Sequence, residues 1–176
     1  FRRVLFRSAE YGVDPLRIGA IGYSAGGHLA GLLGTTGQSA EEDAEHVDTR
    51  LQAVVAGGAP LDFRLMPDGG KWAEYWMGGD QKSVPEKFQA ASATAFVDAK
   101  DPPFFFFNGT KDKLVPMLWS STCHAALRSA GVRSELYRIE GAGHIEAALD
   151  REALRRSVAF LATELKAPVA PKKPAE

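Results

Sequence analysis

Short apolar runs alternate along this chain with stretches whose apolar residues recur every three or four positions. That switching of period predicts strands separated by helices. RIGAIG at 17–22 reads as a first strand, and AGGHLAGLLG directly after it as a helix of small residues. The polar, acid-rich SAEEDAEHVD then leads to a second strand, LQAVVAGG, at 51–58. PPFFFFNG predicts a third strand, PMLWSSTCHAALRSAG a helix stopped by Gly131, and VRSELYRIEG a fourth strand. IEAALDREALRRSVAFLATELK reads as one long final helix. Smaller signals agree with this frame: AEYG is the last turn of a helix with Gly12 as its stop, Asp14-Pro15 marks a turn, and PEKFQAAS is a short helix.

Strands that alternate with helices imply an α/β fold, a parallel sheet of about four strands flanked by helices. The unbroken FFFF at 104–107 is what a strand covered on both faces looks like. The segment 61–81, LDFRLMPDGGKWAEYWMGGDQ, has no clean period and carries two of the three tryptophans, so it reads as a binding loop more readily than as a connector. The tail 167–176, APVAPKKPAE, is rich in proline and lysine and is expected to be disordered.

Composition narrows the functions available. With 176 residues, 45% hydrophobic and 24% charged, the chain can bury one sizeable core. A net charge of −1 argues against a nucleic-acid or anionic-membrane surface, which needs a concentrated basic face. No apolar run reaches the roughly 20 residues of a membrane span. The only cysteine, Cys123, excludes an internal disulfide and a cysteine cluster for zinc.

The chemistry begins at GYSAG, residues 22–26, which matches G-x-S-x-G with a strand before it and a helix after it. The bare pattern arises by chance in roughly one chain in twenty of this length, so the strand–turn–helix context carries the weight. A sharp turn there strains Ser24 and lifts its hydroxyl above the sheet, with Gly22 and Gly26 expected to remove side chains that would clash. The N–H of Ala25, at the helix N-terminus, is a candidate oxyanion donor. A glycine-rich strand-to-helix turn with an incidental serine, or a phosphate-binding loop, is the alternative; for the latter, the glycines at 19, 22, 26 and 27 do not fit G-x-G-x-x-G, and no Gly-Lys-Ser/Thr follows.

A serine hydroxyl needs a base, which predicts a histidine at another strand's carboxyl end. Of the four histidines, His28 lies on the elbow's own helix, where a packed or hydrogen-bonded role is expected; His46 lies in the acidic loop; His124 is mid-helix. His144, in EGAGH after the fourth strand, has the required position. Asp112, in NGTKDKLVP after the third strand, is the matching candidate to orient it. Asp62, after the second strand, is the runner-up, while Asp98 and Asp101 precede a strand and read as solvated turn residues. The order Ser24, Asp112, His144 is the one the α/β-hydrolase arrangement requires.

On these residues the chain resembles the carboxyl-terminal part of an α/β-hydrolase-fold serine esterase, over residues 9–166. It is most similar to bacterial carboxylesterases grouped with acetylxylan and feruloyl esterases and to hormone-sensitive-lipase-like enzymes. The resemblance rests on GVDPLRIGAIGYSAGGHLA, DPPFFFFNGTKDKLVP and YRIEGAGH. It implies ester hydrolysis through an acyl-enzyme on Ser24, with His144 as base then acid, Asp112 holding its tautomer, and no metal or cofactor. It also implies a small-molecule or carbohydrate ester as substrate. Trp72, Tyr75, Trp76 and Met77 are candidate lining for an acyl or sugar site, with local packing of an aromatic cluster as the other reading. A prolyl-oligopeptidase-type serine peptidase shares the order of the three residues, although SAGGH favours the esterase. A non-catalytic binding protein on the same fold is the reading from another class.

Members of that family carry further strands before the elbow, and a loop after one of them supplies a second oxyanion N–H. None is seen before residue 17, so the expectation is a partial fold whose activity belongs to a longer parent. The opening octet, FRRVLFRS, is what TTC AGA CGT GTG CTC TTC CGA TCT, the end of a widely used sequencing adapter, would encode; residues 1–8 are therefore expected to be a read-through artefact, with a basic amphipathic helix start as the alternative.

Overall fold

The structure, a computed structural model, describes residues 4, 5, 7–39, 48–66 and 71–166. His46, the tail 167–176 and half of the opening octet lie outside these described residues. A first short helix, α1 (Ser8–Tyr11), ends at Gly12 in the left-handed region at φ 63°. Then follow β1 (Gly19–Tyr23), α2 (Ala25–Thr35), β2 (Ala53–Gly57), α3 (Lys71–Met77), α4 (Pro85–Ala90), β3 (Phe104–Gly109), α5 (Met117–Ser129), β4 (Ser134–Ile139), α6 (His144–Ala148) and α7 (Arg151–Glu164). Two 3₁₀ turns, Phe63–Leu65 and Ala93–Phe96, flank the α3–α4 segment.

The four strands form one parallel sheet in the order β1-β2-β3-β4. Each crossover is therefore a connection back to a neighbouring parallel strand, and helices cover both faces. The tetraphenylalanine run shows why. Phe104 and Phe106 join Val54, Ala56 and Ala30 in one core with Cys123 and Leu127 of α5. Phe105 and Phe107 point the other way, into a core with Val55, Ile139, Ala153 and Phe160 of α7. Period two sends alternate rings to opposite faces, and because both faces are covered all four are buried. Each contributes about 1.5–3 kcal/mol relative to exposure.

The register aligns the strands' carboxyl ends. Tyr23 sits beside Gly57, Gly57 beside Phe107, and Phe107 beside Tyr137. Segments leaving β1, β3 and β4 thus emerge at one rim of the sheet, where ligands bind in parallel α/β folds.

Three expectations are corrected. The 61–81 segment is not an irregular loop: it contains a 3₁₀ turn and α3, because Ala73 and Met77 pack with Phe63 and Phe88 into a small core of their own. The final helix is two helices. Asp150 breaks it, in extended conformation, with its carboxylate accepting the N–H of Ala153 as the N-cap of α7. Asp98 is exposed as expected, but Asp101 is only partly so. Burial, reinforced by the charge of Asp98, pushes the Asp101 carboxyl up to about 6. Among the described residues, no helix is long and apolar enough to cross a membrane.

Candidate active site

At the rim, β1 hands over to α2 through Ser24, whose φ of 55° makes it the only non-glycine with positive φ among the described residues. Such a conformation costs roughly 1–3 kcal/mol and persists only where its surroundings enforce it. The enforcing contacts are visible. The Ser24 N–H donates to Gly57 O at 2.8 Å, and Ser24 O accepts the N–H of His28 at 2.9 Å, so the turn is pinned to β2 and to α2 at once. Gly22 is obligatory, since a Cβ there would lie 2.1 Å from Gly26 O. The second obligatory glycine is Gly27, not Gly26: a Cβ at 27 would meet Ala59 Cβ at 2.8 Å and Gly57 O at 2.9 Å, whereas at 26 it would meet nothing within 4 Å. Helix–sheet contact, not the turn itself, sets that requirement.

Opposite Ser24, the segments after β3 and β4 are stitched together. The N–H of Thr110 donates to Ile139 O at 3.0 Å, that of Lys111 to Ala142 O at 2.9 Å, and that of Gly141 to Thr110 Oγ1 at 2.9 Å. Gly109 permits this approach, because a Cβ there would lie 2.3 Å from Ala142 O. The stitching delivers Asp112 to His144. Asp112 Oδ1 accepts the N–H groups of Leu114 at 2.9 Å and Val115 at 2.8 Å, leaving Oδ2 aimed at His144 Nδ1, 2.7 Å away. His144 Nε2 then lies 3.0 Å from Ser24 Oγ. The Asp112 side chain is fully buried and that of His144 nearly so. A carboxylate beside Nδ1 fixes the proton there, which leaves Nε2 as the acceptor facing the serine hydroxyl.

Ala25 is the first residue of α2, so its N–H is one of the four that have no acceptor within the helix. Beside it opens a cavity of about 340 Å³ lined by Ser24, Ala25, His28, Pro60, Phe63, Trp72, Trp76, Leu114, Val115 and Trp119. Its walls are almost entirely apolar. Trp72 and Trp76, one turn apart on α3, both reach it, each meeting the Phe63 ring at 6.0 and 5.5 Å. Tyr75 and Met77 do not. Tyr75 is 89% exposed on the far side of α3, and Met77 is buried in the small core beneath it.

The remaining candidates take other positions. Asp62 is buried and paired through both oxygens with the Arg64 guanidinium at 2.7 Å. His124 Nδ1 bonds Ser134 Oγ at 2.7 Å. His28, buried, donates Nε2–H to Ala91 O at 2.7 Å, and burial holds its pKa below the usual value. The same side chain also walls the cavity, a role its place on the elbow's helix did not reveal. Pro60, Phe63, Leu114, Val115 and Trp119 also line it, and no motif in the sequence points to them. Phe63 could have been found by its place just past the carboxyl end of β2, next to the serine's strand.

A strained serine at a strand–helix elbow, a histidine and a carboxylate on a parallel sheet define an α/β hydrolase. More narrowly, the chain belongs to the BD-FAE family, whose model matches residues 2–127. It is 34% identical over 140 residues to Esterase LipQ of Mycobacterium tuberculosis, which covers 73% of this chain and 32% of that protein. Solved structures share its architecture, two of them as follows. A truncated form of a carbohydrate esterase from gut microbiota superposes with a TM-score of 0.82 at 25% identity, covering 93% of this chain and 65% of that one. Thermogutta terrifontis esterase 2 phosphoramylated by tabun gives 0.74 at 28% identity, covering 96% and 63%. The chain spans about a third of the length of the curated relatives it matches.

Proposed function

We propose that this chain carries the reacting residues of a serine carboxylesterase, and that the activity is that of the whole protein carrying it. The observation that carries the reading is the continuous path from Asp112 Oδ2 through His144 to Ser24 Oγ, with links of 2.7 and 3.0 Å. Ser24 Oγ attacks the ester carbonyl carbon while His144 Nε2 takes its proton, and the carbonyl oxygen becomes an oxyanion facing the Ala25 N–H. Asp112 stabilises the imidazolium. The tetrahedral adduct collapses as His144 returns the proton to the departing alcohol, leaving an acyl group on Ser24. Water, deprotonated by the same nitrogen, then releases the acid and restores the serine.

The cavity supplies the substrate reading. Apolar walls beside Ser24 suit the hydrocarbon part of an acyl group or of its alcohol, with Trp72 and Trp76 as contact residues. Small acyl esters and acyl esters of plant polysaccharide are the proposed substrates, in keeping with a structural neighbour named as a carbohydrate esterase.

A fluorophosphonate tests the reading. Covalent label mapped to Ser24, together with faster turnover of p-nitrophenyl acetate than of a prolyl anilide, is the expected result. A folded, unlabelled protein would return the chain to the non-catalytic reading, and preference for the anilide would make it a peptidase.

A further inference from the structure

Tyr23 is the variable position between Gly22 and Ser24 in the elbow, and its side chain turns to the sheet face that carries Phe105, Phe107 and Ile139. From there it reaches across to the base. Its ring lies 5.6 Å from that of Phe107 and 5.1 Å from the His144 imidazole, and its hydroxyl donates to the His144 carbonyl oxygen at 2.6 Å. The route is cleared by Gly58, whose φ is +48° and where a Cβ would stand 2.6 Å from both Cζ and Oη of Tyr23. Burial first, then the charges of Asp112 and Glu146, pushes the Tyr23 pKa up to about 12, so the hydroxyl remains a donor at any working pH.

His144 needs such an anchor. It follows Gly141, at φ +76°, and Gly143; the backbone bonds that stitch its loop to the Asp112 loop end at Ala142, and beyond them the Asp112 loop holds only the His144 side chain, through Oδ2. The Tyr23 bond grips His144 itself, and it comes from the residue covalently next to Ser24. A shift of the His144 backbone relative to Ser24 must therefore stretch it. We infer that Tyr23 is a positioning residue that fixes the His144 backbone, and through it the seat of the imidazole, relative to Ser24, using its hydroxyl on the His144 carbonyl and its ring beside the imidazole. This rests on the reading of Ser24 and His144 as nucleophile and base.

The test is Tyr23→Phe in the whole protein carrying this chain, which keeps the ring and removes only the hydroxyl. One hydrogen bond's worth of positioning predicts a fluorophosphonate labelling rate and a kcat lowered about 3- to 10-fold with KM unchanged. A role confined to stability would lower the melting midpoint and leave the rate measured well below it untouched. An unchanged rate in Tyr23→Phe overturns the inference. Should that variant fail to fold, Gly58→Ala displaces the hydroxyl without deleting it and must slow labelling likewise, a normal rate being equally fatal. If the unmodified protein leaves Ser24 unlabelled, the esterase reading fails instead. The tyrosine's part is then decided by proton NMR: the downfield Nδ1–H resonance of His144 should shift or broaden in Tyr23→Phe, and an identical resonance counts against positioning.

Discussion

Replacing Asp112 by asparagine tests the proposed site with the least disturbance of the fold. The side chain keeps its shape, and the N–H groups of Leu114 and Val115, at 2.9 and 2.8 Å, admit only an acceptor. The amide oxygen must therefore take the place of Oδ1. The amide NH₂ then replaces Oδ2, 2.7 Å from His144 Nδ1, and as a donor it forces that nitrogen to be the acceptor. The imidazole proton moves to Nε2, toward Ser24 Oγ, and the base is lost. Losing the charge-assisted bond to the imidazolium accounts for ~1.5–3 kcal/mol, roughly 10- to 150-fold. The wrong tautomer extends the loss to about 10⁴ in kcat. The assay is stopped-flow labelling with a fluorophosphonate beside a thermal melt, with the midpoint expected to stay near that of the unmodified protein. A normal rate in a folded Asp112→Asn protein would refute the tautomer argument. Asp62 could not then be substituted in its place without breaking its pairing with Arg64.

Other substitutions probe the remaining links. Ser24→Ala should abolish labelling and nearly all ester turnover while leaving the melt intact, as mass spectrometry and a p-nitrophenyl acetate assay will show. Gly22→Ala should fail to give folded protein by circular dichroism, because its Cβ would lie 2.1 Å from Gly26 O in a segment that cannot yield. Trp76→Ala enlarges the cavity beside Ser24 and should alter kcat/KM for bulky acyl chains more than for acetate across a p-nitrophenyl ester series. Asp101 has a folded pKa of about 6 against 3.8 for the unperturbed group. The folded state thus binds more protons than the unfolded chain between those values, and stability falls as pH rises through that window. Melting midpoints of Asp101→Asn should lose that component, gaining on the parent protein at pH 7 relative to pH 4.

What was legible in the sequence was what neighbouring residues impose on each other. The elbow could be read because a strand, a G-x-S-x-G turn and a helix are contiguous, whereas the bond that helps hold the strained Ser24 backbone comes from Gly57 of β2. FFFF announced a strand covered on both faces, and the placement of Asp112 and His144 after successive strands could be read from element order alone. The N-cap Asp150 was also present as a local signal, but the continuous helical period on either side concealed it. α3 stayed hidden because its apolar positions are explained only by Phe63 and Phe88, outside the helix.

Tertiary structure decided which of several equivalent residues meets which partner. Asp62 and Asp112 both follow strands, and only the folded chain shows one turned to Arg64 and the other to His144. Gly27 rather than Gly26 is required because β2, some 30 residues on, passes beside it. The cavity is assembled from residues between Ser24 and Trp119, and the bond from Tyr23 to His144 spans 121 positions. Strand alternation and helix caps are set within a few residues. Hydrogen-bond partners and cavity walls depend on distances that exist only once the sheet has brought remote segments to one rim.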